Sequence, residues 1–503
     1  MARLDPVAIV TEPEREAGLR LLIGEAAFSG SAAALTSGVV LTAFALHLGA
    51  SSLMVGVLAS IPFLAQLLQL PAILLVDRLR QRKRIAVLTS IAGRAMLAVM
   101  AATAFSAGLP ALLVFLVAQA ILCGLGAVGT CAWNSWLRDL APERRMGDVF
   151  ARRSLWLTAI NLVLGAVAAL ALELTADGSA VRDRVFAGMF AAGGVTGLMS
   201  AWLVARIPEE RLPAPADAAP SLVALLRQPF ADPNFRRLLR FVASWQFAVN
   251  FATPFFTVFI VRQLGFDVSV VLLLNVTSQL ANLVALRGWG RLSDAYANKS
   301  VLTVSAPAYI LSIVAMIGAS QLGDRMAVIA WLTILHVVMG AAVAGVTLAS
   351  TNIALKLSPR GSATAFVAAN AVVTAVAAGT APIVGGLMAQ FFAARRLTVE
   401  VGWISPRGAF SLPLALSHWD FYFLIAGAIG LYALHRLSLV EEHGEIDRKA
   451  MVNRILVETR RTVRNISSVA GLRGASDLPA SLLRDARVRV RLRRARAARD
   501  GAG

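Results

Sequence analysis

The chain alternates apolar blocks, most of them about twenty residues long, with short polar segments. A block of that length is what an α-helix needs to cross the hydrocarbon core of a bilayer. The pattern therefore predicts an all-α membrane protein with twelve transmembrane helices. The predicted spans lie near residues 22–46, 53–76, 85–107, 110–136, 154–174, 185–205, 238–261, 268–287, 301–320, 327–350, 364–391 and 418–437. An even number of spans places both chain termini on the same side of the membrane.

The composition agrees with a membrane protein, since 57% of the residues are hydrophobic and only 15% are charged. The formal charge of +19 is unevenly distributed. About twenty Lys and Arg residues lie in the loops on the side of the termini, and about seven lie in the opposite loops. Because cytoplasmic loops are rich in Lys and Arg, we expect both termini in the cytoplasm and the protein in a bacterial inner membrane.

The residue types that perform covalent chemistry do not form a recognisable site. Cys123 and Cys131 are eight residues apart, about 12 Å along a helix, which is too far for a disulfide. The sequence shows no phosphate-binding loop, no metal-ligand cluster and no nucleophile spaced to meet a base. We therefore expect neither an enzyme nor a protein that needs a metal or another cofactor.

Two segments repeat one pattern, in which an apolar span ends at an Asp and cations follow. The first is PAILLVDRLRQRKR around Asp77, and the second is GWGRLSDAYANK around Asp294. These aspartates are 217 residues apart, and the same separation relates Pro142 to Pro359. A shared spacing indicates two homologous halves of six spans in the same orientation.

These segments resemble the inner-loop motif of the major facilitator superfamily, Gly-x-x-x-Asp-(Arg)-x-Gly-(Arg/Lys)-(Arg/Lys), although Ile73 and Arg80 occupy the glycine positions of the first copy. The resemblance covers roughly residues 18 to 438 and implies two six-helix bundles related by a pseudo-twofold axis. It also implies an inner gate whose contacts favour the outward-open state. The predicted gate residues are Asp77, Arg78, Lys83, Glu143, Arg144, Arg291, Asp294 and Lys299. Alternatively, the cations only determine topology.

The chain divides into five predicted parts. They are a cytoplasmic N-terminus (1–18), an N-terminal bundle (19–207), a cytoplasmic linker rich in Pro and Ala (208–236), a C-terminal bundle (237–438) and a basic tail (439–503). The tail either binds anionic lipid through a basic helix or is a solvated disordered segment. Nucleic acid is not an expected partner. The outer segment 393–417 is longer than the other outer loops, and the sequence assigns no role to it.

Polar residues recur at helical spacing on several predicted spans, which is costly unless they face a partner or water. By resemblance, spans 1, 2, 4, 5, 7, 8, 10 and 11 line a central cavity, and most of these polar stripes fall on such spans. The predicted cavity residues are Gln119, Asn134, Gln246, Asn250, Asn275, Gln279, Asn282, His336, Asn370 and Thr374. Hydrogen bonding between helices is the alternative role for each of them.

Three ionisable residues lie inside predicted spans: Glu25, Arg94 and His336. Each is a candidate for coupling solute movement to an ion, because a charge in the membrane is costly unless it is paired. The alternatives are pairing of Glu25 with a basic loop, a structural ion pair at Arg94 and a hydrogen-bonding role for His336. The sequence does not support a proton-coupled drug exporter, because Ala120 occupies the position of an Arg that those members usually have.

These observations together predict a secondary active transporter that works by alternating access. The scarcity of fixed charge among the predicted cavity residues favours a small neutral, zwitterionic or amphipathic solute. We expect a monomer in the lipid bilayer, with or without a co-transported ion. The alternative is a membrane receptor, or an assembly or pigment-handling factor, that keeps this fold without transporting anything.

Overall fold

The computed structural model describes residues 5–7, 10–140, 143–176, 178–211, 222–358, 363–405 and 408–442. Twelve helical segments in this part of the chain are long and apolar enough to cross a membrane, and each overlaps one of the twelve predicted spans. The first of them begins at Glu12, well before its predicted start near residue 22. The first half contains span 1 (Glu12–Thr36 and Gly38–His47), span 2 (Ser52–Ala65, Gln66–Leu68 and Gln69–Leu79), span 3 (Arg82–Thr103), span 4 (Leu109–Leu140), span 5 (Glu143–Glu173) and span 6 (Ala180–Arg206).

The second half begins after a linker helix, Leu222–Ala231, which packs against spans 7 and 11. It contains span 7 (Pro233–Val258 and Phe259–Gln263), span 8 (Val268–Ala295), span 9 (Asn298–Ala315 and Gly318–Gln321), span 10 (Arg325–Lys356), span 11 (Ala363–Phe392) and span 12 (His418–Ser438). The prediction of an all-α membrane protein with twelve spans is confirmed.

Two spans in the first half are interrupted where local chemistry weakens the helix. Span 1 breaks at Ser37 and Gly38, where Gly38 has a φ of 60°, a left-handed conformation that glycine adopts without strain. Span 2 contains Pro62, which lacks an amide hydrogen, and a short 3₁₀ turn follows at Gln66–Leu68. The break in span 1 lies beside a cavity.

Segment 393–417, for which the sequence predicted no structure, contains an antiparallel β-hairpin. Strand β1 (Arg396–Ser405) pairs with β2 (Gly408–Ser417), and Arg396 lies opposite Ser417. The segment LTVEVGWIS within β1 alternates apolar and polar residues in its first half, a pattern typical of a strand. Apart from residues 439–442, the basic tail lies outside the described residues.

A carboxylate closes the end of each half nearest the chain termini, which we call the terminal end. Glu209, which follows span 6, accepts hydrogen bonds from the backbone amides of Arg82 (3.0 Å) and Lys83 (3.1 Å) at the start of span 3. Glu442, which follows span 12, accepts one from the Lys299 amide (2.7 Å) at the start of span 9. Amides at a helix start lack intrahelical partners, so an anion there stabilises the helix.

The halves contact each other at the opposite end, which we call the far end. Span 2 packs closely on span 11, because Gly56 and Gly386 let the two backbones approach. A Cβ on Gly56 would clash with the Pro382 carbonyl. A Cβ on Gly386 would lie 2.7 Å from the Ser52 carbonyl oxygen. Small residues permit such close packing of membrane helices. Span 5 packs on span 8 across the same boundary.

Candidate solute and charge sites

A cavity of about 420 Å³ lies between the two halves, and we call it the interhalf cavity. Spans 1, 5 and 8 form its walls, and Ser37 and Gly38 at the break in span 1 are among the lining residues. Its polar lining residues are Ser37, Thr158, Asn161, Asn275, Gln279 and Asn282. Among the lining residues that the structure describes, none carries a charge.

Three of the predicted cavity residues line the interhalf cavity: Asn275, Gln279 and Asn282 on span 8. Thr158 and Asn161 of span 5 also line it, and the sequence analysis missed them. They are three residues apart, so the spacing rule applied to span 8 would have placed them on one helix face. The sequence of span 5 therefore carries the same kind of signal as that of span 8.

Other predicted cavity residues lie outside the lining of this cavity. Asn250 donates to the backbone carbonyl of Gln246 (2.8 Å) and to its side-chain oxygen (3.2 Å), so these two half-buried residues bond within span 7. Asn370 and Thr374 on span 11 are half-buried, and the buried Oδ1 of Asn370 has no hydrogen-bond partner among the described residues.

On span 4 the predicted stripe divides into a buried and an exposed part. Gln119 is buried and donates to Cys123 (3.2 Å), whereas Asn134 is exposed. On span 10, His336 is buried, and its Nδ1 lies 2.8 Å from the carbonyl oxygen of Leu332 in the same helix. His336 lines neither of the two cavities described here.

A second cavity, of about 230 Å³, lies inside the N-terminal half, and we call it the N-terminal cavity. Its charged lining residues are Glu25, Arg94 and Arg153, from spans 1, 3 and 5. Glu25 is only 4% exposed and accepts from Ser200 (2.8 Å) and from Arg153 (3.2 Å). Two ionisable residues predicted separately are therefore brought into one cluster, and Arg153 joins them.

The predicted gate residues are divided between exposed and buried positions. Asp77, Arg78 and Arg291 are exposed at the terminal end, whereas Lys83 and Lys299 are buried and donate their backbone amides to Glu209 and Glu442. The side chains of Glu143, Arg144 and Asp294 lie outside the described part of the structure. A gate between the halves at this end remains a prediction.

Polar contacts that the sequence analysis did not predict join the halves at the far end. Arg182 at the start of span 6 donates to Asp267, the N-cap residue of span 8, at 2.8 Å. Arg262 donates to the carbonyl oxygen of Ala50 at 2.7 Å. Ser269 bonds to Glu173 beside them. These contacts join the two halves at the far end.

No group of three or more His, Cys, Asp or Glu residues suited to a metal ion occurs within the described residues.

The family model described as Major Facilitator Superfamily matches residues 21–330 and 246–490. A search of curated proteins found no match.

Solved structures of transporters are similar to the chain. The nucleoside transporter NupG is 15% identical, with a TM-score of 0.60 over 84% of this chain and 98% of that one. A bacterial homolog of the human lysosomal transporter Spinster, inward-facing and unoccupied, is 19% identical, with a TM-score of 0.55 over 76% and 84%. The inward-open xylose transporter XylE from E. coli is 14% identical, with a TM-score of 0.58 over 87% and 99%. The chain therefore belongs to the Major Facilitator Superfamily, as a membrane transporter with twelve spans rather than an enzyme.

Proposed function

We propose that this transporter moves a small neutral, zwitterionic or amphipathic solute by alternating access, as its two halves tilt about the interhalf cavity. The observation that supports this most is closure at the far end beside an amide-lined cavity. Contacts between spans 2 and 11 and the Arg182–Asp267 pair join the halves there. The structure would then correspond to the inward-facing state, with the terminal end in the cytoplasm of a bacterial inner membrane.

The chemistry of the interhalf cavity supports the proposed class of solute. Asn161, Asn275, Gln279 and Asn282 each offer both donors and acceptors, which suits hydroxyl, carbonyl and amide groups. Apolar residues such as Leu272 and Leu286 complete the wall. A volume of about 420 Å³ falls within the usual range for small-molecule sites, roughly 300–1,000 Å³.

The test is a thermal-shift screen of the purified full chain against solute classes. Gln279→Ala and Asn161→Ala remove amides from two different spans that line the interhalf cavity. Each should raise at least tenfold the concentration of an active solute that is needed for a given rise in unfolding temperature. Gln321→Ala, at an exposed position, is the control. Stabilisation that survives Gln279→Ala and Asn161→Ala would contradict the proposed site.

Flux into proteoliposomes distinguishes a carrier from a receptor with the same fold. A solute that stabilises the protein should also cross the membrane, and deletion of residues 443–503 should leave that flux unchanged. Deletion should begin after Glu442, because Glu442 contacts spans 9 and 10. Binding without any flux would favour the receptor or assembly factor.

A further inference from the structure

We propose that the N-terminal cavity is a binding site for a small oxyanion, such as a carboxylate or inorganic phosphate. Its lining residues come from spans 1, 3, 4, 5 and 6 and share no member with the interhalf cavity. The site goes beyond the proposed solute path, since it lies within one half. Gly126 and Thr130 of span 4 are exposed, so the cavity can be reached at that face.

The charges of the described lining residues favour an anion. Arg94 and Arg153 supply two guanidinium groups against the single carboxylate of Glu25. A net positive charge held among apolar helices is costly unless an anion compensates it. An anion of one negative charge would bring this cluster to neutrality.

The hydrogen-bond donors also favour an oxyanion. Both oxygens of Glu25 are occupied, one by Ser200 and one by Arg153. The Nε of Arg153 is buried and has no partner among the described residues, and Arg94 donates to Ser90 through one of its nitrogens. Each guanidinium has five N–H donors in a planar fork that matches a carboxylate or phosphate. The two arginines thus retain donor capacity that Glu25 cannot use.

The packing around Arg94 shows how the site is shaped. A Cβ on Gly197 of span 6 would lie 2.5 Å from Cδ and 2.8 Å from Nε of Arg94. Any side chain at position 197 would therefore displace the arginine. The cavity volume of about 230 Å³ is many times the roughly 10–15 Å³ that one water molecule needs by the same measure, so a small oxyanion fits.

The experiment measures anion binding to the full chain in lipid-free detergent, with sodium acetate and sodium phosphate as probes and chloride at equal ionic strength as the reference. Acetate or phosphate should raise the unfolding temperature saturably and change the fluorescence of Trp133, which lines the cavity. The fluorescence change should disappear in Trp133→Phe. Arg184→Gln, at an exposed position near the far end, should bind anions like the wild type.

Opposite charge changes in the cluster give opposite expected effects. Arg153→Gln removes one positive charge and should weaken anion binding at least tenfold, whereas Glu25→Gln removes the repelling carboxylate and should strengthen it about tenfold. Arg94→Lys keeps the charge but loses the fork, so it should weaken binding several-fold. A purely structural role would lower the stability of these variants without these opposite shifts in affinity.

Three results would overturn the proposal. The first is stabilisation by acetate and phosphate that is no greater than stabilisation by chloride. The second is equal anion affinity in Glu25→Gln and Arg153→Gln. The third is found by adding phosphatidylglycerol to the same detergent samples, and it is stabilisation by this lipid but by neither free anion. Loss of solute binding in Gln279→Ala concerns the interhalf cavity alone, so the two proposals can fail independently.

Discussion

Arg182 of the N-terminal half donates a hydrogen bond to Asp267 of the C-terminal half at 2.8 Å, and the arginine side chain is only 2% exposed. The pair joins the starts of spans 6 and 8, so it can exist only while the far end is closed. A buried charge that loses its partner is strongly destabilising. The pair therefore favours the state seen here.

Arg182→Gln should shift the population toward a far-end-open state by at least tenfold, since it removes this ion pair. Spin labels can be attached at the exposed positions Ser106 and Gln321, which lie on different halves at the far end. Pulsed electron paramagnetic resonance would then measure the distance between the two labels. Arg184→Gln is the matched control, because its exposed side chain bonds only to its own helix among the contacts described. Identical distance distributions in both variants would refute a role for the pair.

Gly56→Ala and Gly340→Ala should have different effects, although both place a methyl group against a carbonyl oxygen. Gly56 lies between the halves, against Pro382, so the methyl group should disfavour far-end closure with little change in unfolding temperature. Gly340 lies within the C-terminal half, against Ser278, so its replacement should lower the unfolding temperature by several degrees. Gly188→Ala, whose methyl group would meet open space, should be neutral or slightly stabilising. The same effect from Gly56→Ala and Gly340→Ala would contradict this distinction.

Glu442 should make the protein less stable in acid. Burial raises the pKa of its carboxyl, but hydrogen bonds from Lys356, the Lys299 amide and Asn298 outweigh this and hold the pKa below the ordinary glutamate value. Its ionised form therefore stabilises the fold above the unfolded-state pKa of about 4.3, and that stabilisation disappears as the pH falls through the lower folded-state pKa.

The unfolding temperature measured from pH 7 down to pH 3 tests this expectation. The difference between wild type and Glu442→Gln should be largest near pH 7 and should shrink below about pH 4. Glu441→Gln changes the exposed neighbour, which pairs with Arg237, and should show little pH-dependent difference. A constant difference across the range would show that the Glu442 charge does not matter.

Solute uptake driven by a pH gradient should respond to Glu25→Gln and not to His336→Asn. Glu25 lies in a cavity with Arg153, whereas the Nδ1 of His336 is held by the Leu332 carbonyl outside both cavities. An Asn amide can reach the position of Nδ1 and preserve that bond. Altered pH dependence in His336→Asn, with none in Glu25→Gln, would contradict this expectation.

The sequence predicted the number, order and approximate limits of the spans, because apolar length is a strong local signal. It also predicted Asn275, Gln279 and Asn282 on one face of span 8, since helical spacing is local. It could not predict the Arg182–Asp267 pair, which joins residues 85 positions apart in different halves. The sequence marked Glu25 and Arg94 only as separate ionisable residues. Their position in one cavity, together with Arg153, follows from the packing of spans 1, 3 and 5.

Glu209 and Glu442 each fasten the last span of a half to the start of its third span, and neither of these contacts crosses between the halves. The proposed movement of each half as a rigid body would therefore leave the bonds at its own terminal end intact. In that movement, the contacts that have to break are those between the halves. Substitutions at the two carboxylates should therefore weaken the whole protein, whereas substitutions at the far end should change the rate at which it cycles.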